Sequence, residues 1–304
     1  MSADILGEAQ RRRTFAVISH PDAGKSTLTE ALALHAQVLS SAGAVHGKGD
    51  RRGVTSDWLE MERARGISIT SAALQFSFGD TVINLLDTPG HADFSEDTYR
   101  VLSAVDSAVM LLDAAKGLEP QTLKLFDVCR HRGIPVITFI NKWDRPGRDA
   151  LDLCEELAQR INLQAMPLTW PVGIAGDFRG VLDLRTEEMV RYERTAGGAT
   201  AAPEEHLTAD RAQTEEGDNW AGALEESELL VSDGGEFELG RFLDATATPV
   251  VFGAAMLNFG VRHLLDLLVD VAPRPEARID VHKRVRPLDA PFSAFVFKVQ
   301  TGMD

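Results

Sequence analysis

Four short apolar runs, Thr14 to Ser19, Thr81 to Leu86, Ala108 to Leu112 and Ile134 to Ile140, alternate with segments of helical periodicity. That alternation constrains the fold of the chain more than any other feature. Each run has the length of a strand buried on both faces. Between them Ser26 to Ala36, about Phe94 to Val105 and Gln121 to His131 read as helices, with Leu125, Val128 and Cys129 on one face of the last. The pattern predicts an α/β fold, a mainly parallel sheet with helices on both sides. Ile67 to Phe78 reads as a further strand ahead of a Gly79-Asp80 turn.

Beyond Arg145 the rhythm changes. A helix is expected over about Arg148 to Ile161, then a small hairpin or meander over Phe178 to Tyr192, then acidic, Gly-containing sequence to about Gly240. The α/β pattern resumes at Pro249 to Gly253. A helix follows with Val261, Leu264, Leu265 and Leu268 at helical spacing and Pro273 past its end. Residues from about 162 to 248 thus read as a subdomain inserted into a domain spanning 1–272. Residues 273–290 read as a Pro-rich, charged linker, and 291–304 as the truncated start of a second domain, with Phe292 to Gln300 alternating like a strand. A length of 304 residues suits about two domains, and the chain reads as a fragment.

The formal charge is −15, and twelve acidic residues against one arginine between Pro203 and Glu238 supply −11 of it. This balance argues against a broad phosphate-gripping surface and against binding free DNA, while leaving room for a local basic face. The acidic stretch is either a solvated surface or a contact for a basic partner surface. No apolar run approaches the roughly 18 residues needed to span a bilayer, and MSADILGEAQRRR lacks the layout of a signal peptide. A soluble, unexported, cytoplasmic protein with no membrane partner is therefore expected. Cys129 and Cys154 are too few for a disulfide framework or thiolate metal site and read as reduced packing residues.

Three motifs carry chemistry. Ser19-His20-Pro21-Asp22-Ala23-Gly24-Lys25-Ser26-Thr27 stands where a buried strand hands over to a helix and fits a phosphate loop, with serine at the first glycine position. Backbone N–H groups and the helix N-terminus would surround a polyphosphate, Lys25 would neutralise its outer charge and Ser26 would ligate magnesium. Asp87-Thr88-Pro89-Gly90-His91 follows the run Val82 to Leu86. Asp87 can hold magnesium through water, and the Gly90 N–H can approach a terminal phosphate. His91 is either the side chain that orients water or a surface-loop histidine. Asn141-Lys142-Trp143-Asp144 closes the run Ile134 to Ile140. The Asp144 carboxylate can accept hydrogen bonds from N1 and the exocyclic amine of guanine, a donor pair that adenine lacks. Asn141 would buttress the phosphate loop, and the Lys142 stem would cover the base.

These motifs, with Arg65-Gly66-Ile67-Ser68-Ile69-Thr70, resemble the translational GTPases. The stretches SHPDAGKST, SDWLEMERARGISIT, LLDTPGHADFSEDTYRVLSAVDSAVMLLDAAKG, FINKWDR, NFGVRHLLDLLVDVAP and FVFKVQ are similar to the class II release factors within that family. The Ser-His-Pro-Asp start and the Ser-Glu-Asp-Thr-Tyr-Arg run separate it from the elongation and translocation factors. The resemblance covers the chain apart from about 196–240. It implies a P-loop GTPase domain with a mainly parallel sheet and an inserted subdomain, followed by the truncated start of a β-barrel domain.

The resemblance also implies the site. Asp22, Ala23, Gly24, Lys25, Ser26 and Thr27 would bind phosphates, Asp87 to His91 would form the second switch, and Asn141, Lys142 and Asp144 would bind guanine. Gly253-Ala254-Ala255 would make the last base contact, with the Ala255 N–H meeting the oxygen at position 6; alanine stands at 254 where serine is usual. GTP/GDP and Mg2+ are the implied cofactors, with Ser26, Ser68 and Asp87 on the metal and Thr70 a rival to Ser68. GTP would order about Ser40 to Gly66, and His91 would be catalytic. Trp58 is a switch-dependent contact or a packing residue. The implied activity is ribosome-stimulated GTP hydrolysis that promotes departure of a class I release factor from the ribosome. Other readings are a translocase, a ribosome-protection factor, or a nucleotide-binding fragment without turnover.

Overall fold

The computed structural model describes residues 4–36, 72–88, 95–195, 200–280, 282–294 and 296–297. A short helix α1 (Ile5–Gln10), not anticipated from periodicity, is capped by Asp4, whose carboxylate accepts from the Gly7 N–H at 2.8 Å. It leads into β1 (Arg12–Ser19), α2 (Lys25–His35), β2 (Ala72–Phe78), β3 (Thr81–Asp87), α3 (Ser95–Leu102), β4 (Ser107–Asp113), α4 (Pro120–Arg132), β5 (Val136–Asn141) and α5 (Ala150–Ile161). Next come β6 (Gln164–Pro167), β7 (Thr169–Val172), β8 (Gly180–Asp183), β9 (Glu188–Tyr192) and β10 (Glu204–Leu207). The helices α6 (Ala209–Glu216), α7 (Asp218–Leu230) and α8 (Leu239–Leu243) precede β11 (Ala247–Phe252), α9 (Val261–Val271), β12 (Arg278–Ile279) and β13 (Val285–Arg286).

Seven strands form the main sheet in the order β2-β3-β1-β4-β5-β11-β6. Only β2 is antiparallel to its neighbour, so the expected mainly parallel sheet is present. The two-residue period of a strand sorts its side chains to opposite faces. Ala16, Ile18, Met110 and Ile140 join Val101, Leu125 and Leu157 from α3, α4 and α5 on one side. Phe15, Val17, Val109 and Phe139 join Leu28 of α2 and Leu264 and Leu268 of α9 on the other. Each fully buried aliphatic side chain here contributes about 1.5–3 kcal/mol. Local signals agree with this packing. Pro120 opens α4, Gly133 ends it at φ 65°, and Arg130, His131 and Arg132 oppose the dipole in its last turn.

Several expectations need correction. The strand β6 lies within 162–248 yet pairs with β11 in the main sheet, so the chain leaves that sheet only at β7. From there a four-stranded antiparallel meander, β10-β9-β8-β7, forms its own layer. The acidic stretch is folded: α6 and α7 bury Ala212, Trp220 and Ala223 against Trp170 and Leu182. Its charges are partly matched by arginines distant in sequence, Arg191 to Glu215 and Glu216 at 2.8 Å each, and by Arg211 to Glu215 at 2.8 Å. A kinked turn over Val231–Gly235 brings Gly235 against the edge strand, where a Cβ would lie 3.1 Å from the Ala165 carbonyl oxygen. Within the linker, β12 and β13 form a small antiparallel pair. Residues 292–294 and 296–297 are not in a strand, and 295 and 298–300 lie outside the described residues.

Among the described residues no helix is long and apolar enough to cross a membrane. Cys129 and Cys154 are free and buried, and burial pushes both thiols up to about 12. A thiolate-directed reagent such as DTNB at about pH 8 is therefore expected to modify neither cysteine in the folded chain and both after denaturation. Absorbance of the released thiolate checks this, and fast native labelling would contradict the packing described.

Candidate functional site

Parallel strands carry their following loops to one edge of the sheet, where an α/β fold places its ligands. The register aligns Ser19 with Leu111, Asp113 with Asn141, and Ile140 with Phe252. The loops after β1, β4, β5 and β11 therefore converge.

The first of these is the phosphate loop. Asp22 (φ 67°) and Gly24 (φ 104°) adopt left-handed backbone, and the Ala23 N–H donates to His20 O at 3.3 Å, closing the turn. A Cβ on Gly24 would lie 2.5 Å from Asn141 Nδ2, so only glycine fits at that point. The first residue of α2 is the buried Lys25, and its N-cap is Gly24, which has no side chain to cap the helix end. Backbone amides at a helix N-terminus beside a lysine suit a polyphosphate. Ser26 and Thr27 follow, both half-buried. Beside the loop, β3 pairs Asp87 with Val17, and Thr88 is buried with its hydroxyl donating to Val17 O. The Asp87 side chain, Gly90, His91, Ser68, Thr70, Trp58 and the segment 40–66 lie outside the described residues.

Asn141 is the junction of the site. Its Nδ2 donates to Ala23 O at 2.9 Å, and its Oδ1 accepts from the Ala255 N–H at 2.9 Å. One buried carboxamide thus joins the phosphate loop to the 253–260 loop. Lys142, at φ 67°, turns its ammonium onto Asp22 O and to within 2.8 Å of Asp113 Oδ2. Trp143 is buried edge-on to Phe252, centroids 5.0 Å apart, and its backbone N–H donates to Gly253 O at 3.1 Å. The Asp144 carboxylate is 15% exposed, with Arg145 Nε at 3.8 Å, which leaves oxygen lone pairs for a ligand's donors.

Two results differ from the sequence reading. The Ala255 N–H, expected to meet a base, is engaged by Asn141, so a base oxygen would share that hydrogen or displace the carboxamide. Asp113 was given no role, yet it pairs with Lys142 and also accepts from the Ala115 N–H at 2.9 Å. Its signal was a carboxylate ending the apolar run Ala108 to Leu112, directly beside Asn141 in the register. Ala254 is fully buried, which places it as a spacer and leaves the backbone as its means of contact.

Comparison with known proteins adds a family. A profile described as the elongation factor Tu GTP binding domain matches residues 10–274. The peptide chain release factor 3 of Rippkaea orientalis is 49% identical over 307 residues, covering 100% of this chain and 57% of its own length. That of Gloeobacter violaceus is also 49% identical over 307 residues, covering 99% and 57%. The chain therefore spans little more than half the length of these curated relatives. A crystal structure of a Thermus thermophilus protein matches with a TM-score of 0.69 at 23% identity, over 88% of this chain and 41% of the other, and shares its fold.

Replacing Asn141 with alanine would leave the Ala23 carbonyl and the Ala255 N–H unpaired in a buried site. A loss of roughly 2–5 kcal/mol of stability is expected, read from urea unfolding. A loss below about 0.5 kcal/mol would mean that the bridge is not formed in solution.

Proposed function

Because the chain belongs to the elongation factor Tu GTP-binding domain family, we propose that it is a guanine-nucleotide switch that hydrolyses GTP on the ribosome and acts in translation termination. The supporting observation is the Asn141 bridge, which fixes a phosphate-type loop and a base-type loop relative to each other at one edge of the sheet. The names of the curated relatives support the termination role.

In this reading the amides of residues 22–27 and the Lys25 ammonium hold the phosphates. Asp144 accepts from the two donors of the guanine edge, and the Lys142 stem covers the ring. Ser26, Asp87 and Ser68, with Thr70 as the alternative to Ser68, would hold Mg2+; hydroxyl and carboxylate oxygens are the hard donors that ion takes. Ser26 stands in the first turn of α2 and Asp87 at the end of a strand paired with β1, positions compatible with one ion between them. When bound, magnesium neutralises charge on the phosphate oxygens. His91 orients the attacking water at the terminal phosphate. The terminal phosphate would anchor the segment from about Ser40 to Gly66, and hydrolysis would withdraw the anchor. Release of that segment would be what promotes departure of a class I release factor from the ribosome. Residues 1–272 would form the G domain, with the inserted layer between β6 and β11, and 273–290 would lead to a second domain starting near 291. The setting is cytoplasmic.

Calorimetry with Mg2+ present is expected to register GDP and not ADP. Asp144→Asn, which offers donors where the guanine edge needs an acceptor, is expected to weaken GDP by about a hundredfold or more and to favour xanthosine diphosphate. Binding of ADP in preference to GDP would overturn the guanine reading. His91→Ala is expected to keep GDP affinity within about twofold while ribosome-stimulated turnover falls at least about a hundredfold. Unchanged turnover would remove His91 from the mechanism. The termination role is tested separately, in a chain of the relatives' full length, by the dissociation rate of a bound class I factor from terminating ribosomes. A rate that GTP and the protein do not alter would refute it.

A further inference from the structure

The meander β7–β10 turns one of its faces toward the 253–260 loop. Val181, Val190 and Tyr192 pack there with Ala254 and Phe259, whereas Leu182 and Met189, one residue out of phase, face the side of α6 and α7. The Tyr192 ring lies flat on Phe259, centroids 4.9 Å apart and planes 14° from parallel, and Phe178 leans on both at 6.1 Å. Phe259 shares two backbone hydrogen bonds with Ala254, at 3.0 and 3.1 Å. The next residue is Ala255. Asn258 Nδ2 also donates to Thr200 O, at 3.1 Å, from the same inserted layer.

The loop has no slack. A Cβ on Gly253 would lie 2.4 Å from Phe259 O, and one on Gly260, at φ 74°, would lie 2.3 Å from Phe252 O. A displaced Phe259 ring would therefore carry Ala254 and Ala255 with it. The Tyr192 ring is itself pinned, its hydroxyl 3.2 Å from His263 Nδ1, with His263 Nε2 3.5 Å from Asp183 Oδ2. Burial acts to raise the Asp183 carboxyl, but hydrogen bonds from His263 and from the Arg185 backbone and guanidinium hold it well below the usual carboxylate range. Asp183 is thus an acceptor for the His263 ring, whose other nitrogen lies within hydrogen-bond reach of the Tyr192 hydroxyl. Burial keeps that phenol protonated far above its ordinary value.

We propose that Tyr192 is a positioning residue for base recognition: through its stack on Phe259, the inserted layer holds the 253–260 loop where the Ala255 amide hydrogen, shared with Asn141 Oδ1, meets the oxygen at position 6 of guanine. Asn141 fixes the loop from the phosphate side, and Tyr192 fixes it from the opposite side. The inference rests on the guanine-nucleotide reading above.

The test compares GDP with 6-thio-GDP, which keeps both donors to Asp144 but replaces the position-6 oxygen with a larger, weaker acceptor. In Tyr192→Leu, GDP is expected to dissociate about tenfold faster, and the preference for GDP over 6-thio-GDP to shrink about fivefold. Tyr192→Phe keeps the stack and is expected to return both readouts to within about twofold of the unsubstituted chain. A general loosening of the fold would weaken the two nucleotides in proportion and leave their ratio unchanged. That result, or an unchanged dissociation rate, overturns the proposal. Should Tyr192→Leu fail to fold, Phe259→Leu removes the same stack from its other side and is judged by the same two readouts. Failure of the unsubstituted chain to bind GDP would instead overturn the site itself, and so is distinguishable from failure of Tyr192 alone.

Discussion

A primary amide is the smallest side chain that can donate at one end and accept at the other, and the geometry of this site depends on one such group. Asn141 Nδ2 and Oδ1 each find a backbone partner, Ala23 O in one loop and the Ala255 N–H in another. An aspartate would set a carboxylate oxygen against the Ala23 carbonyl, and a leucine would leave both backbone groups unpaired. Because the residue is also the last of β5, the two loops are referenced to the rigid centre of the sheet and not merely to each other. Lys142 adds a second tie, drawing Asp22 and Asp113 to one ammonium.

The parts of the fold legible in the sequence were those with a strong local cause. The strands β1, β3, β4 and β5 showed as apolar runs because helices cover both of their faces, and α4 showed through the apolar face of Leu125, Val128 and Cys129. The loops proposed to hold phosphate and base were legible because their residue types are unusual at strand ends. The rest depends on partners far away in the chain. The strand β6 is four residues long and becomes recognisable only when paired with β11. In α6 and α7 the charges obscure a buried seam of Ala212, Trp220 and Ala223, and the arginines that match them come from β9 or from the same helix. Tyr192 has no local signature, and Asp113 shows only as a carboxylate ending an apolar run; each gains its role from what the fold brings beside it.

The inserted layer is therefore more than an acidic appendage. One face of its sheet supports the helices that carry much of the chain's negative charge, and the other presses an aromatic cluster on the loop that follows β11. Exposed ion pairs such as Arg211 with Glu215 contribute little to stability individually. Their effect is to keep a strongly charged segment compact, so that Trp170 can donate to Glu226 at 2.9 Å and the sheet keeps its shape.

An open sheet ends in strands whose outer backbone groups invite another chain to add on. At the β6 end the turn at Val231–Gly235 covers the edge strand, and a Cβ on its last glycine would lie 2.6 Å from the turn's own Leu230 carbonyl oxygen and 3.1 Å from that of Ala165. The same close approach that looks like a packing detail thus keeps a short strand edge covered, and the bare α-carbon at position 235 is what lets the cover sit so near.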